Sequence, residues 1–305
     1  MSVLVVGSIA LDTVKTPVEE HADLLGGSAS YAALAASFFA PVKLVGVVGT
    51  DFPESEFKFW QSRNIDAAGV QRVDGKTFRW SGEYSWDLNT RETRSVALNV
   101  FENFQPTLPD SYRETEFALL ANIAPSLQSH VLDQMKRPRF VVADTMDLWI
   151  EITRSDLDAL LPRADLLILN DSEAREMTKE TSLIKAGRKI RKMGPRFVAI
   201  KKGEHGALLF GEDDFFSCGA YPLEDIHDPT GAGDTFAGGV GGYLAAHVKG
   251  EVTFADLRRA VIYGSVLASF CVEAFSLERL RKLTHDEIVE RYNVFRLMSQ
   301  FDIAA

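Results

Sequence analysis

Short runs of apolar, often β-branched residues recur along the chain. Val3 to Val6, Val42 to Val48, Phe117 to Asn122, Phe140 to Asp144, Asp165 to Asn170 and Phe197 to Ile200 are apolar at most consecutive positions. A strand buried on both faces carries that signature, because helices cover both sides of a parallel sheet. Stretches with helical spacing lie between the runs. A Gly26-Gly27 pair opens an alanine-rich helix that continues to Phe38, and Glu54 to Arg63 repeats its apolar positions at Phe57 and Trp60. Ser126 to Met135, Asp156 to Leu161, a segment ending over Arg188 to Met193, Phe254 to Cys271 and Asp286 to Phe301 read as further helices. Strands alternating with helices predict an α/β fold, with a mostly parallel central sheet and helices on both faces.

Three segments depart from that alternation. Residues 75–104 alternate in polarity on either side of a turn at Asp87-Leu88-Asn89-Thr90, which predicts an antiparallel hairpin. Leu208 to Phe210 and Phe215 to Tyr221 predict a second hairpin. Thr13 to Asp23, with Pro17, is polar and reads as irregular chain. No repeat or low-complexity segment interrupts the sequence, and residues 1–305 are expected to form a single domain.

Composition narrows the function classes. The 305 residues are 46% hydrophobic and 25% charged, ordinary for a globular α/β protein. A formal net charge of -10 argues against nucleic acid or an anionic membrane as partner. No apolar run approaches transmembrane length, and Met1 to Gly7 carries no basic leader, so a cytoplasmic protein is expected. Cys218 and Cys271 are too few and too far apart for a disulfide framework or a CxxC metal motif. They are expected to be buried thiols in a reducing compartment.

The densest chemistry lies in His227-Asp228-Pro229-Thr230-Gly231-Ala232-Gly233-Asp234-Thr235-Phe236. Proline fixes the approach to a turn, and Gly231 and Gly233 permit backbone shapes that a side chain would block. Free N–H groups at a helix start, preceded by glycines, form an anion site. A carboxylate beside such a site is placed to accept the proton of a hydroxyl that attacks phosphorus. The structural alternative is that Asp234 caps the helix and the glycines only turn the chain. The first strand ends at a lone Gly7, without the GxGxxG of a dinucleotide site, so a dehydrogenase is disfavoured. Asp12 follows that strand, Asn122 ends another, and Asp144 ends a third. In a parallel sheet such residues face one crevice at the carboxyl edge.

The string Asp228 to Phe236 resembles the C-terminal signature of the ribokinase-like, or PfkB-type, sugar kinase family. Other motifs follow in the family's order over nearly the whole chain: Gly26-Gly27, the inserted hairpin, Asn170…Glu173, then Gly203…Gly206. Where many members carry asparagine four residues after the second glycine, this chain has Tyr31. The resemblance implies a three-layer ribokinase-like fold, with a small β lid formed by about residues 13–23 and 75–104. It implies an ATP- and Mg²⁺-dependent kinase that phosphorylates a hydroxyl of a small carbohydrate. A nucleoside kinase of the same fold, or a nucleotide sensor without turnover, is the alternative. Asp234 is the expected base, with the turn Gly231, Ala232 and Gly233 stabilising the moving phosphoryl group. Asp12, Gly26, Gly27, Tyr31 and Asn122 are expected at the substrate, with Arg79, Trp80 and Arg91 as lid candidates. Asn170, Lys201 (or Lys202), Gly203, Gly206 and Thr230 are expected at the nucleotide. Glu173 is expected to hold Mg²⁺ through water. Asp228 and Thr230 resemble positions that help to hold a monovalent cation such as K⁺, opposite a loop at Val272 to Ser276. A homodimer through the lid is also implied.

Overall fold

The computed structural model describes residues 1–300. Thirteen strands form in chain order: β1 (Val3–Val6), β2 (Ala10–Lys15), β3 (Glu20–Gly26), β4 (Val42–Val48), β5 (Ile65–Arg72), β6 (Phe78–Tyr84), β7 (Arg91–Ala97), β8 (Phe117–Leu120), β9 (Phe140–Asp144), β10 (Leu166–Asn170), β11 (Phe197–Lys201), β12 (Ala207–Phe210) and β13 (Phe215–Cys218). Nine of them make one sheet in the order β13-β12-β11-β10-β9-β8-β1-β4-β5. From β5 to β11 every pairing is parallel, and β12 and β13 add an antiparallel edge. The apolar runs are these strands, and their alternate residues feed two cores. Val3 and Val5 belong to one buried cluster and Leu4 and Val6 to the other, on opposite faces.

The strand order turns at β1. From there the chain moves to β4 and β5 on one side, then returns to β8 and continues outward to β11. A crevice opens outside the carboxyl ends of the strands at such a switch point. Asp12 and Asn122 follow the two strands that flank it.

A second sheet of four strands, in the order β3-β2-β6-β7, contains both segments expected to form the lid. Residues 13–23 are therefore not irregular, as their composition suggests. They belong to β2 and β3, joined by a turn in which Thr16 N–H donates to Glu19 O at 2.8 Å. Pro17 sits in that turn, where no ladder hydrogen bond is needed. β2 looks polar because its stabilising partner is β6, distant in sequence and paired in parallel register. The hairpin of β6 and β7 is antiparallel, as its alternation predicts. β7 stops at Ala97, short of the predicted Val100, and Asn99–Asn103 turns into a 3₁₀ helix. There Phe101 stacks on Phe78 at 5.2 Å, so aromatic packing ends the strand.

The helix Ala232–His247 lies against the helix Ser28–Ser37 with backbones in contact. A Cβ on Gly238 would sit 2.2 Å from Ala32 O, and one on Gly242 would sit 2.6 Å from Ala36 Cα. The glycines and alanines of both motifs thus serve close packing as well as ligand approach. The C-terminal helix runs His285–Met298, and Phe301 of the expected span lies outside the described residues. Cys271 is buried, Cys218 is half-buried, and both are free thiols. Among the described residues no helix is long and apolar enough to cross a membrane.

Gly238→Ala tests the close packing. Alanine gains about 1 kcal/mol of helix propensity. The new methyl meets a main-chain oxygen that cannot rotate away, and overpacking costs about 1–3 kcal/mol. The expected net result is a lower midpoint in thermal and urea unfolding. An unchanged or raised midpoint refutes the backbone contact.

Candidate active site

The turn before the helix Ala232–His247 is shaped by one glycine. Gly231 is left-handed, with φ 77° and ψ 0°, and a Cβ there would lie 2.3 Å from the Tyr31 ring. Tyr31, only 2% exposed, is therefore the floor under the turn. The Ala232 N–H donates to Pro229 O at 3.2 Å. The Gly233 N–H has no hydrogen-bond partner among the described residues, so a donor stands ready at the helix start. The helix begins at Ala232, which puts Asp234 in its first turn.

The turn is anchored from below. Asp228 is fully buried; its Oδ1 accepts from Thr230 N–H at 2.8 Å and its Oδ2 from Ser276 N–H at 3.1 Å. His227 N–H donates to Val272 O at 2.9 Å, so the expected partner loop does meet this segment. The lid reaches the same place, because Thr230 Oγ1 donates to Tyr84 OH at 3.1 Å.

Three neighbouring strand ends supply the charged groups. Asn170 ends β10 and caps the next helix in a capping box: its Oδ1 accepts from Glu173 N–H at 2.8 Å, and Glu173 Oε2 accepts from Asn170 N–H at 2.6 Å. The cap is Asn170 itself. Lys201 ends β11 and pairs with Asp144, the end of β9, at 3.3 Å. Glu173 is pushed up to about 7, mainly by burial and also by Asp144, while Lys201 pulls it back. Gly203 and Gly206 bound the next turn, both at positive φ, and Lys202 N–H donates to Gly206 O at 2.7 Å.

Asp12 stands across the crevice. It is 5% exposed, its Oδ1 has no hydrogen-bond partner, and Gly26 lies so close that a Cβ there would be 1.8 Å from Oδ2. Burial pushes its carboxyl up to about 7, Asp228 and Asp234 add to the rise, and the Gly27 and Trp80 N–H groups oppose it. Gly27 has φ 86° and takes the chain from β3 into the following helix. Asn122 is otherwise engaged: Trp149 Nε1 donates to its Oδ1 at 2.7 Å and its Nδ2 faces Met146 Sδ at 3.0 Å. Trp80 pairs with Asp12 in the lid, so the two side chains leave the sheet on the same face. The Trp80 ring lies along the strand over Gly82, whose Cβ would be 2.0 Å from it. The Arg91 guanidinium sits 5.3 Å from that ring. Arg79 is committed elsewhere, to Asp23 and Asp51.

Asp234 is half-buried at the centre of this arrangement. Its carboxyl is pushed up to about 7, first by burial and then by Asp144; Lys201 and Arg91 pull it down. A helix start with a free N–H, a carboxylate and a strand-end ammonium can together bind an anion and accept a proton from a hydroxyl. Residues 3–279 match the sequence profile described as pfkB family carbohydrate kinase.

The chain belongs to the pfkB carbohydrate kinase family. Kinases of the family transfer phosphate to a hydroxyl group. A relative named cytidine kinase, from Thermococcus kodakarensis, is 31% identical over 258 residues, covering 82% of this chain and 90% of that protein. The fold matches the nucleoside kinase of Methanocaldococcus jannaschii with a TM-score of 0.75 at 19% identity, covering 96% of this chain and 98% of that one. It also matches a ribokinase from Thermotoga maritima with a TM-score of 0.75 at 19% identity, covering 96% and 99%. Two residues of this pfkB site stand outside the sequence motifs. Asp144 carried only the signal of an acid at a strand end, and Tyr84 carried none beyond its place in the hairpin.

Two pH effects follow. A base works ionised, so kcat/KM is expected to climb as pH rises through about 7 and to level off above it. A profile flat from about pH 5 to about pH 9 excludes Asp234 as the base. Asp12 acts on stability. Its folded value of about 7 lies above its ordinary 3.8, so the folded state retains a proton that the unfolded chain releases in between. Stability therefore falls as pH rises through that window, and the full cost of the buried charge is present above it. Asp12→Asn removes the charge. It is expected to stabilise the protein by ~3 kcal/mol more at pH 8 than at pH 5, read by urea unfolding. Equal effects at the two pH values refute the raised value.

Proposed function

We propose that this chain is an ATP-dependent kinase whose acceptor is a nucleoside hydroxyl. One observation carries the choice of acceptor: the lid holds an indole, Trp80, over Gly82 on the same face as the unpartnered Asp12 oxygen. A planar base has a π-face to stack on such a ring, in the position over it that the Arg91 guanidinium takes here. Asp12 accepts hydrogen bonds from sugar hydroxyls, which would satisfy its bare oxygen. The 31% identity to a protein named cytidine kinase supports the same reading.

Asp234 accepts the proton of the acceptor hydroxyl as the oxygen approaches phosphorus. The Gly233 N–H, at the positive end of the helix, stabilises charge on the transferred group, and the Asp234 and Ala232 N–H groups extend that positive field. Tyr31 supports the turn from beneath and keeps Gly231 in its left-handed shape. The Lys201 to Gly206 segment borders the nucleotide. Glu173 suits Mg²⁺ held through water, because Asn170 fixes one carboxylate oxygen and leaves the other, a hard ligand. When bound, the metal would supply positive charge to the phosphates. Asp228 and Thr230 are proposed at a monovalent cation. Burial raises the Asp228 carboxyl above its usual range, and a nearby cation would relieve that cost.

The test is ATP consumption against a panel of pyrimidine nucleosides, purine nucleosides and free sugars, with K⁺ present or replaced by choline. Turnover is expected to be highest on a nucleoside, to need K⁺, and to fall by roughly 10²–10⁴ in Asp234→Asn with folding intact. Turnover on a free sugar alone returns the carbohydrate reading. ATP binding without turnover on any acceptor returns the sensor reading. Near-normal turnover by Asp234→Asn removes the proposed base.

A further inference from the structure

Gly233 raises a question that the turn does not answer. Its φ is not in the left-handed region, so the backbone there accepts any residue. What excludes a side chain is Lys201. A Cβ on Gly233 would lie 2.9 Å from Lys201 Nζ and 3.6 Å from its Cε. The end of a lysine chain normally moves aside at little cost, but this one is held. Its ammonium pairs with Asp144 at 3.3 Å, and the two side chains are 18% and 5% exposed. β10 lies between their strands, so the pair bridges three strand ends directly under the first turn of the helix.

The pair is costly to bury unless both members gain from it. Asp144 would be an unpaired buried carboxylate without Lys201. Lys201 has three donor hydrogens, and one goes to Asp144. Glu173 and Asp234 add their negative charge around the same ammonium. The remaining donors lie beside the unpartnered Gly233 N–H. Two adjacent donor groups at one helix start have a common natural ligand, an anion.

We infer that Lys201 contacts the transferred phosphoryl group at the Gly231–Asp234 turn, and that Asp144 is the positioning residue that holds it there. The inference rests on the kinase reading above and assigns a specific atom to a specific phosphate. Lys201 remains an ammonium throughout: the acceptor proton goes to Asp234, and the electron pair of the breaking P–O bond leaves with the departing diphosphate. Lys201 supplies a fixed positive charge where negative charge gathers, and Asp144 prevents it from collapsing onto Asp234.

Calorimetric titration of ATP and of ADP, each with Mg²⁺, into wild type, Lys201→Met and Asp144→Asn tests this. A contact with the third phosphate predicts that Lys201→Met weakens ATP by roughly 10–100-fold and ADP by less than about 3-fold. Asp144→Asn leaves the cation in place but loosely held, so a smaller loss with the same ATP selectivity is expected. In turnover, Lys201→Met is expected to lower kcat while the acceptor KM stays within about 3-fold. If Lys201→Met does not fold, Lys201→Gln, which keeps a donor and most of the chain length, takes its place. Equal losses for ATP and ADP, or no loss for either, overturn the inference while leaving the kinase reading intact. Wild type that binds neither nucleotide overturns both.

Discussion

Four ionisable side chains crowd one space: the buried Asp144 and Glu173 and the half-buried Asp234, around the half-buried ammonium of Lys201. Everything near the site depends on that burial being tolerable. Three carboxylates and one cation do not balance, so the space is short of positive charge. Glu173 and Asp234 respond by rising to about 7, which leaves a large share of each protonated near neutrality. The deficit is also what draws a helix N-terminus, a lid arginine and, in the proposed function, a divalent cation to the same place. A site short of positive charge favours a cation, and in the proposed function the divalent ion that accompanies the triphosphate would supply it.

That arrangement needs the helix start to come very close to the strand ends. The packing of Ala232–His247 on Ser28–Ser37 supplies the approach, through glycines that would strike Ala32 and Ala36 if they carried side chains. The same two helices open with the two glycine motifs, so one contact between them sets two positions. Gly27 leads into the acceptor side and Gly231 into the phosphate side. Tyr31, one turn into its helix, then fills the space beneath Gly231. Its bulk serves the turn, and the proposed function gives the acceptor contact to Asp12 and the lid. The lid closes the loop of constraints, since Tyr84 receives a hydrogen bond from Thr230.

Much of this was legible in the residues. The buried parallel strands declare themselves as continuous apolar runs, because helices cover both their faces. The turn at Asp228 to Asp234 reads clearly because its chemistry is local: proline, two glycines and an acid act on one another within a few positions. β2 and β3 were not legible. β2 takes its order from pairing with β6, more than fifty residues away, β3 pairs in turn with β2, and one face of that sheet is polar. Asn122 looked free at a strand end, yet its amide meets Trp149 and Met146 at the start of the helix Asp147–Ile152, a contact that no spacing reports. The role of Asp144 also needed three dimensions, since it depends on a partner across β10.

The division between what reads easily and what does not follows the chemistry of the reaction. Phosphoryl transfer asks for the same parts whatever the acceptor: a helix start, a base and cations. Those parts can sit in one short segment and its immediate neighbours. Acceptor choice depends on which lid face meets the crevice, and that is fixed by strand register. A shift of one residue in β6 against β2 would turn Trp80 to the opposite face and Arg79 toward Asp12. The present register instead sends Arg79 to Asp23 and Asp51 and keeps the indole beside Asp12. Pairing across two remote strands, and not any local motif, thus decides whether an aromatic plane or a cation stands beside Asp12.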